Sequence, residues 1–518
     1  MTTSDRILDL YARRRQAQQS GSDRAAQRQR LAGKLTARQR IDLLVDKGSF
    51  FEMDDFALGP AVEEKDAAYG DGVVAGAARV HGRQLCLFAQ DATVLGGSLG
   101  LIHGRKILKA MELAERIGCP IVAMNDSAGA RIQEGVDALA AYADIGLAMI
   151  RLSGVLPQIS LNLGSCAGGA AYGAVLADFV VMVDGLSHMF VTGPEVIEAA
   201  LGQRVTREEL GGARLCCEHT GTAHYLAEDE PDAIDWVRTL LAYLPSNNNE
   251  GPPEYTRSAS PRVTDADRAL DQLVPTSPSD AYDMEVLVKT LLDDRDFLEV
   301  GELFGRALMV GFGLVDGGTV GMVASRPIHG GGALDGDACD KAARFVRFCD
   351  AMDIPIVTLA DIPGFMPGVE QERAAILTRG AKLLYAYGEA TVPMVTVIVR
   401  KAYGGGYAVL GSKHLGADVN LAWPTAEIAT MGPDAAVQVL HRRELAEATD
   451  LGELAQRTSE LAESYRAKLG TPYAAAARGY IDKVIAPHET RLTVTAALRM
   501  LRSKRVDRPN KKHGNIPL

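Results

Sequence analysis

The chain says nearly the same thing twice. Gly96-Gly97-Ser98-Leu99, Lys106, Gly118-Cys119-Pro120-Ile121-Val122, Asp126 and Gly129 return as Gly331-Gly332-Ala333-Leu334, Lys341, Asp353-Ile354-Pro355-Ile356-Val357, Asp361 and Gly364, about 235 positions later. Upstream, Gly76/Gly311, Gly82/Gly317 and Ala89/Ala324 keep that offset. After a slip of one to a few residues, Gly168-Gly169 faces Gly404-Gly405-Gly406, Ala177-Asp178 faces Ala417-Asp418, and Gly193-Pro194 faces Gly432-Pro433. Solenoid repeats have periods of roughly 20–50 residues. An offset this long therefore means two domains of one fold, and two similar binding problems. A chain of 518 residues has the length for it.

Each copy alternates short apolar runs with longer helical ones, the pattern of an α/β domain. Strands are expected at Leu85–Phe88, Ile121–Met124 and Gln158–Leu163, with helices at Lys106–Ile117 and Ala138–Leu152. The second copy places strands near Thr319–Ala324, Ile356–Ala360 and Met394–Val399, then a helical region from Ala435 to Leu469. The turn-forming stretch from Leu244 to Pro253 continues polar and Pro-rich to about Ser279. The expected domains are therefore 1–250 and 280–518, joined by a linker at 251–279.

A formal net charge of −11 argues against a nucleic-acid surface, which needs clustered Lys and Arg. The exception is Arg13 to Arg40, read as a solvated helical arm that packs on a neighbour. Seven cysteines show neither zinc spacing nor a disulfide framework, and no metal site is expected. The charged N-terminus is not a signal peptide, and no apolar run is long enough to span a bilayer. A cytoplasmic protein is the expectation.

The strongest candidate chemistry is a strand running into a Gly-rich turn, once per copy. Gln158–Gly164 leads into Ser165-Cys166-Ala167-Gly168-Gly169-Ala170, and Val395–Arg400 leads into Lys401-Ala402-Tyr403-Gly404-Gly405-Gly406. Glycine lets the backbone turn tightly and a ligand approach closely. The free N–H groups of a helix start favour negative charge. Together they make an oxyanion hole, although one Gly pair alone could equally serve helix–strand packing. A second paired feature ends the preceding strand: Asp126-Ser127-Ala128-Gly129-Ala130-Arg131 against Asp361-Ile362-Pro363-Gly364-Phe365. Arg131 suits either a phosphate contact or a loop-fixing ion pair. Asp126 and Asp361 are expected to cap a helix or turn rather than act as bases. Gly96-Gly97-Ser98-Leu99-Gly100 fits the G-x-S-x-G elbow, but the repeat has Ala333 there and no matching Asp and His follow.

Several segments resemble the carboxyltransferase (β) subunits of biotin-dependent acyl-CoA carboxylases of the propionyl-CoA carboxylase type. They are Asn125–Gly135, Ser165–Gly169, Phe190–Glu195, Glu209–Ala213, Lys341–Phe345, Asp361–Phe365, Arg400–Tyr407, Ala422–Glu427 and the tail Lys511–Leu518. The resemblance covers nearly the whole chain. It implies two tandem crotonase-like (ββα spiral) domains, usually in a homo-hexamer of stacked trimers. The first would bind acyl-CoA through Gly129, Ala130 and Arg131, with the amides of Gly168 and Gly169 holding the thioester enolate. The second would bind carboxybiotin through Gly364 and Phe365, with the amides of Gly405 and Gly406 on the ureido oxygen. In that scheme CO2 leaves carboxybiotin, the biotin enolate takes the α-proton, and no side-chain base is needed. The chain has no Met-Lys-Met biotinylation signal, so a separate biotin carboxylase/biotin carrier α subunit is implied.

Ala408 follows Tyr407, at a position that in relatives helps set acyl preference. A small side chain there implies propionyl-CoA or a larger substrate. Ala128, Ser165 and Arg373 depart from the usual family residues. A transcarboxylase, a biotin-dependent decarboxylase, a crotonase-type hydratase or isomerase, and a non-catalytic scaffold are the competing readings. A hydratase would need an acid or base near Gly168-Gly169, and none follows at an obvious spacing.

Overall fold

The computed structural model describes residues 2–19, 21–60, 68–256, 262–277 and 280–517. The chain divides into two compact units, Met1–Gly251 and Pro252–Leu518.

The first unit is built on a sheet of eight strands. They are β1 (Phe51–Met53), β2 (Val73–Val80), β3 (Arg83–Gln90), β4 (Ile121–Ser127), β5 (Gln158–Ala167), β6 (Phe179–Val183), β7 (His188–Phe190) and β8 (Tyr225–Ala227). The order is β1-β2-β3-β4-β5-β6-β8, with β7 paired to β5. β1, β2 and β3 are antiparallel, and from β3 onward every pairing is parallel. Parallel neighbours need crossovers. Helix Leu101–Ile117 connects β3 to β4, and helix Val136–Leu152 connects β4 to β5. The first of these ends on Gly118 at φ 71°, the left-handed cap that glycine adopts at low cost. Phe88, Leu99, Ile107, Met111, Ile121 and Ile145 form the core between helices and sheet.

The second unit repeats this plan with β9 (Leu298–Glu299), β10 (Leu308–Val315), β11 (Gly318–Ser325), β12 (Ile356–Ile362), β13 (Met394–Tyr403), β14 (Val419–Ala422), β15 (Glu427–Ala429) and β16 (Lys483–Val484). Its order is β16-β14-β13-β12-β11-β10-β9, with β15 on β13. The hairpins match as well. His81-Gly82 and Asp316-Gly317 each close a two-residue turn with both residues at positive φ, the geometry that suits the twist of paired strands. Trp423 is fully buried in the second core, and its indole N–H donates to Thr490 Oγ1 at 2.9 Å.

The expected strands and helices are present, most of them one to four residues longer than the apolar runs suggested. The helical region after β15 begins with Pro433–Leu440 and includes Leu451–Tyr465. Two expectations need correction. The basic N-terminal segment is not simply a solvated arm. Its Arg40 is 0% exposed and donates to Glu230 (2.6 and 2.9 Å), to Asp126 (3.1 Å) and to the Leu163 carbonyl (2.9 Å). A charge so placed is tolerated only because every side of it is paired.

The span 251–279 is not a free linker either, although 257–261 and 278–279 lie outside the described residues. Glu254 bridges to Gly318, helix Asp265–Ala269 is capped by Thr264, and Asp267 pairs with Arg491 at 2.8 Å. Leu270 is buried in the second core. Polar, Pro-rich composition concealed an apolar anchor at Leu270 and the pairings of Glu254 with Arg502, Asp267 with Arg491 and Asp271 with His488.

Candidate active sites at the two glycine turns

Both turns sit where the central parallel strand ends. β5 passes through Gly168 at φ 59° into helix Gly169–Leu176. β13 passes through Gly404 at φ 58° into helix Gly404–Val409. Only glycine adopts this backbone without strain, and a Cβ on Gly404 would also stand 3.0 Å from the Thr430 carbonyl. The structural register therefore matches Gly168 with Gly404 and Gly169 with Gly405, while Gly406 falls opposite Ala170.

The amides differ in availability. Gly168 donates its N–H to the Phe190 carbonyl at 3.1 Å, as part of the seam between β5 and β7. The N–H groups of Gly169 and Ala170 open the helix, where no intrahelical acceptor exists, and none is found among the described residues. The other lip is the turn after β4. Leu99 N–H donates to the Gly129 carbonyl and Arg131 N–H to the Leu99 carbonyl, both at 2.9 Å. Ala130 is thereby held in a one-residue bridge with its own N–H unengaged among the described residues. The second unit repeats the device: Leu334 N–H to Gly364 at 3.0 Å, Met366 N–H to Leu334 at 2.8 Å, and Phe365 between them.

Turn and helix start are in contact in each unit. A Cβ on Gly129 would stand 3.2 Å from the Ala167 carbonyl, and one on Gly406 would stand 3.0 Å from Gly364 Cα. The structure thus brings Gly129 and Ala130 to Gly168 and Gly169, and Gly364 and Phe365 to Gly405 and Gly406. Ala408 lies on the same short helix, part-exposed, its carbonyl accepting from Ser412 Oγ at 2.9 Å. Beside it, Gly404 and Tyr407 line an open cavity of about 540 Å³ with His414, Tyr465 and Tyr480.

Arg131 does not join its neighbours as a ligand contact. It is 2% exposed, and its guanidinium donates to Asp71 and Glu134 (each 2.7 Å) and to the Ser98 carbonyl (2.9 Å). Glu134 also accepts the Leu101 N–H at 2.7 Å, and Asp71 accepts that of His103 at 2.9 Å. Burial raises the Asp71 carboxyl above its ordinary range against the pull of Arg131, and the same burial holds His103 neutral, down to about 3. The loop-fixing alternative is the one the geometry carries.

Asp126 and Asp361 do not cap helices. Asp126 pairs with Lys34 at 2.5 Å and Arg40 at 3.1 Å. Asp361, fully buried, pairs with Arg400 at 3.0 Å and accepts the Lys401 N–H. The Asp361–Arg400 and Asp126–Arg40 pairs join residues 39 and 86 positions apart, beyond local pattern. Ser98 of the G-x-S-x-G match spends its hydroxyl on the Leu95 carbonyl at 2.8 Å, so it is no nucleophile. Cys166 is buried, which pushes its thiol well above the ordinary range.

An aromatic ring covers each hole, but from different elements. In the first unit Tyr142, on helix Val136–Leu152, lies so close that a Cβ on Gly169 would meet its ring at 2.7 Å. In the second unit the ring is Phe365, on the turn itself, 3.4 Å from a Cβ on Gly405 and 2.9 Å from one on Gly380 of helix Ile376–Glu389. Phe365 was among the residues the resemblance implied at the second hole, whereas Tyr142 was not anticipated from sequence. Backbone amides beside an apolar ring, with the bordering carboxylates committed to ion pairs, suit stabilisation of an oxyanion rather than side-chain acid–base chemistry.

This is the crotonase-like arrangement, present twice. The carboxyl transferase domain model matches residues 28–516, and the chain belongs to that family. It is 54% identical to a propionyl-CoA carboxylase β chain of Saccharopolyspora erythraea, covering 100% of this chain and 96% of the relative. It is 50% identical, at the same coverages, to a biotin-dependent acetyl-/propionyl-coenzyme A carboxylase beta5 subunit of Mycobacterium tuberculosis. Among solved structures it matches a transcarboxylase 12S hexamer with methylmalonyl-coenzyme A bound, at a TM-score of 0.95 and 42% identity over 100% of this chain and 99% of that one.

Proposed function

We infer that the chain is the carboxyltransferase subunit of a biotin-dependent acyl-CoA carboxylase. It moves a carboxyl group from carboxybiotin on a partner subunit to the α-carbon of propionyl-CoA or a larger acyl-CoA. The observation that carries this is the pair of amide-lined holes, one per unit, whose bordering carboxylates Asp126 and Asp361 are both committed to ion pairs among the described residues. In the first, the N–H groups of Gly169 and Ala130 receive the thioester oxygen as it gains charge. Gly168 has its N–H on Phe190, and its part is to set the turn. In the second, the exposed Gly405 amide beside the Phe365 ring suits the ureido oxygen of a flat cyclic urea. Bound carboxybiotin supplies the carboxyl group. One oxyanion donor contributes about 3–4 kcal/mol in a transition state.

The reading extends to assembly and setting: a hexamer, as in the transcarboxylase match, and a cytoplasmic location. Among the described residues no helix is long and apolar enough to cross a membrane. Ala408, small and part-exposed, is the residue on which the preference for propionyl-CoA or a larger acyl-CoA rests. Reconstitution with a biotinylated partner subunit, ATP and bicarbonate, over acetyl-, propionyl- and butyryl-CoA, tests the reading. Propionyl-CoA should yield methylmalonyl-CoA. No carboxylated product from any acyl-CoA, with a partner known to be competent, refutes it, and a clear preference for acetyl-CoA refutes the acyl assignment.

A further inference from the structure

Behind the first hole lies a partly open, mostly apolar cavity of about 230 Å³. Tyr142 and Gly169 border it at the hole, and Gln158 and Leu176 border it where β5 begins. Helix Gly169–Leu176 forms one wall, so the cavity runs along that helix for about 10 Å. Its size is half as large again as the roughly 150 Å³ that accepts benzene. That is room for about six to eight chain carbons.

Three observations show that the space is kept. Gly146 and Gly173 both line it, each inside a helix and neither at positive φ. A Cβ on Gly146 would meet nothing within 4 Å, and one on Gly173 only Met149 Sδ at 3.8 Å. Neither backbone strain nor crowding calls for glycine there, and glycine weakens a helix interior. What a side chain would do at either position is fill the cavity. Secondly, Gln158 is 1% exposed and its Oε1 has no partner among the described residues, an unmatched acceptor in the cavity wall. Thirdly, the second unit closes the same space. Ala123 and Ser160 line the cavity, and strand register places Thr358 and Thr396 at their positions. There the Tyr387 hydroxyl meets Thr358 Oγ1 at 2.8 Å, and its ring lies 3.1 Å from a Cβ on Gly411. One copy of the fold is filled and the other left open, and the open one is the copy assigned to the acyl thioester.

We propose that this cavity receives the tail of a linear acyl-CoA of about six to eight carbons, entering past Tyr142 while the thioester oxygen rests on the Gly169 and Ala130 amides. The inference rests on the carboxyltransferase reading above. In it, acyl-chain preference is set inside the first unit, by Gly146, Gly173 and Tyr142, and not by Ala408 alone.

The test is kcat/KM of the reconstituted holoenzyme for propionyl-, butyryl-, hexanoyl- and octanoyl-CoA, with wild-type chain and with Gly146→Leu. The wild type should carboxylate hexanoyl-CoA within about tenfold of propionyl-CoA. Gly146→Leu should lower hexanoyl- and octanoyl-CoA by about tenfold or more while propionyl-CoA stays within about threefold. A wild-type enzyme active on propionyl-CoA but weaker by about a hundredfold or more on hexanoyl-CoA overturns the proposal. So does a folded Gly146→Leu enzyme that loses all chain lengths equally. The wild-type series decides alone if Gly146→Leu does not fold. No carboxylated product from any of the four acyl-CoAs, with a competent partner, would instead defeat the carboxyltransferase reading.

Discussion

The Tyr142 ring and Gly169 occupy each other's van der Waals margin: a Cβ on Gly169 would stand 2.7 Å from Tyr142 Cγ. The amide that opens helix Gly169–Leu176 is therefore positioned by a side chain from a different helix. Gly169→Ala should lower kcat by about 10²- to 10³-fold, because either the ring or the turn must move. Adding Tyr142→Ala should recover part of the loss, with a coupling of about 0.5–3 kcal/mol. Steady-state kinetics on the four members of that cycle measure it, and strictly additive losses would show that ring and amide act independently.

Arg131 holds two carboxylates in a closed site. Removing it leaves Asp71 and Glu134 buried together without the guanidinium that pairs with both. Arg131→Ala should cost about 3–5 kcal/mol, read by urea denaturation. A CoA contact would behave differently, raising KM at unchanged stability.

Lys341, deep in the second unit, donates to the carbonyls of Gly301 (3.1 Å) and Phe304 (2.6 Å). Burial pushes its ammonium down to about 7, against the pull of Glu299. The folded state then prefers neutral lysine, while the unfolded chain holds its proton up to the ordinary 10.5. Between those values the unfolded state binds more protons, so this group's contribution to stability rises with pH. The stability difference between wild type and Lys341→Met should grow by about 1 kcal/mol per pH unit above neutrality. A difference that stays flat over that range would mean the lysine keeps its charge when folded.

Gly146 offers the simplest stability test. Gly146→Ala should stabilise the first unit by about 0.5–1 kcal/mol, visible as a higher melting temperature, since the new methyl meets nothing. No gain would mean that the space around Gly146 is less open than its geometry indicates.

The legible part of this molecule was local. Glycines at positive φ, such as Gly168 and Gly404, mark turns that no other residue makes cheaply. Glycines and apolar strands repeated at one offset disclosed both the duplication and the holes. What escaped was set by distance along the chain. Arg131 reads equally as a phosphate ligand or a loop anchor until Asp71, 60 residues earlier, is seen beside it. Tyr142 is one tyrosine in an apolar helix until the helix packs over Gly169. The cavity has no sequence signal beyond two unexplained glycines, because a void is defined by what surrounds it.

Arg40 sets an order on synthesis. It is bonded to Glu230, 190 residues further on, and through Asp126 to the turn after β4. At about 5–20 residues per second, roughly 10–40 s separate the appearance of the two partners on the ribosome. Until Glu230 emerges, the guanidinium lacks its main counter-charge and the N-terminal segment cannot settle against the sheet. The first glycine turn is therefore assembled last-in, first-locked: residues made at the end of the first unit fasten those made at its beginning, and a chain stalled before Glu230 carries the turn without its clasp.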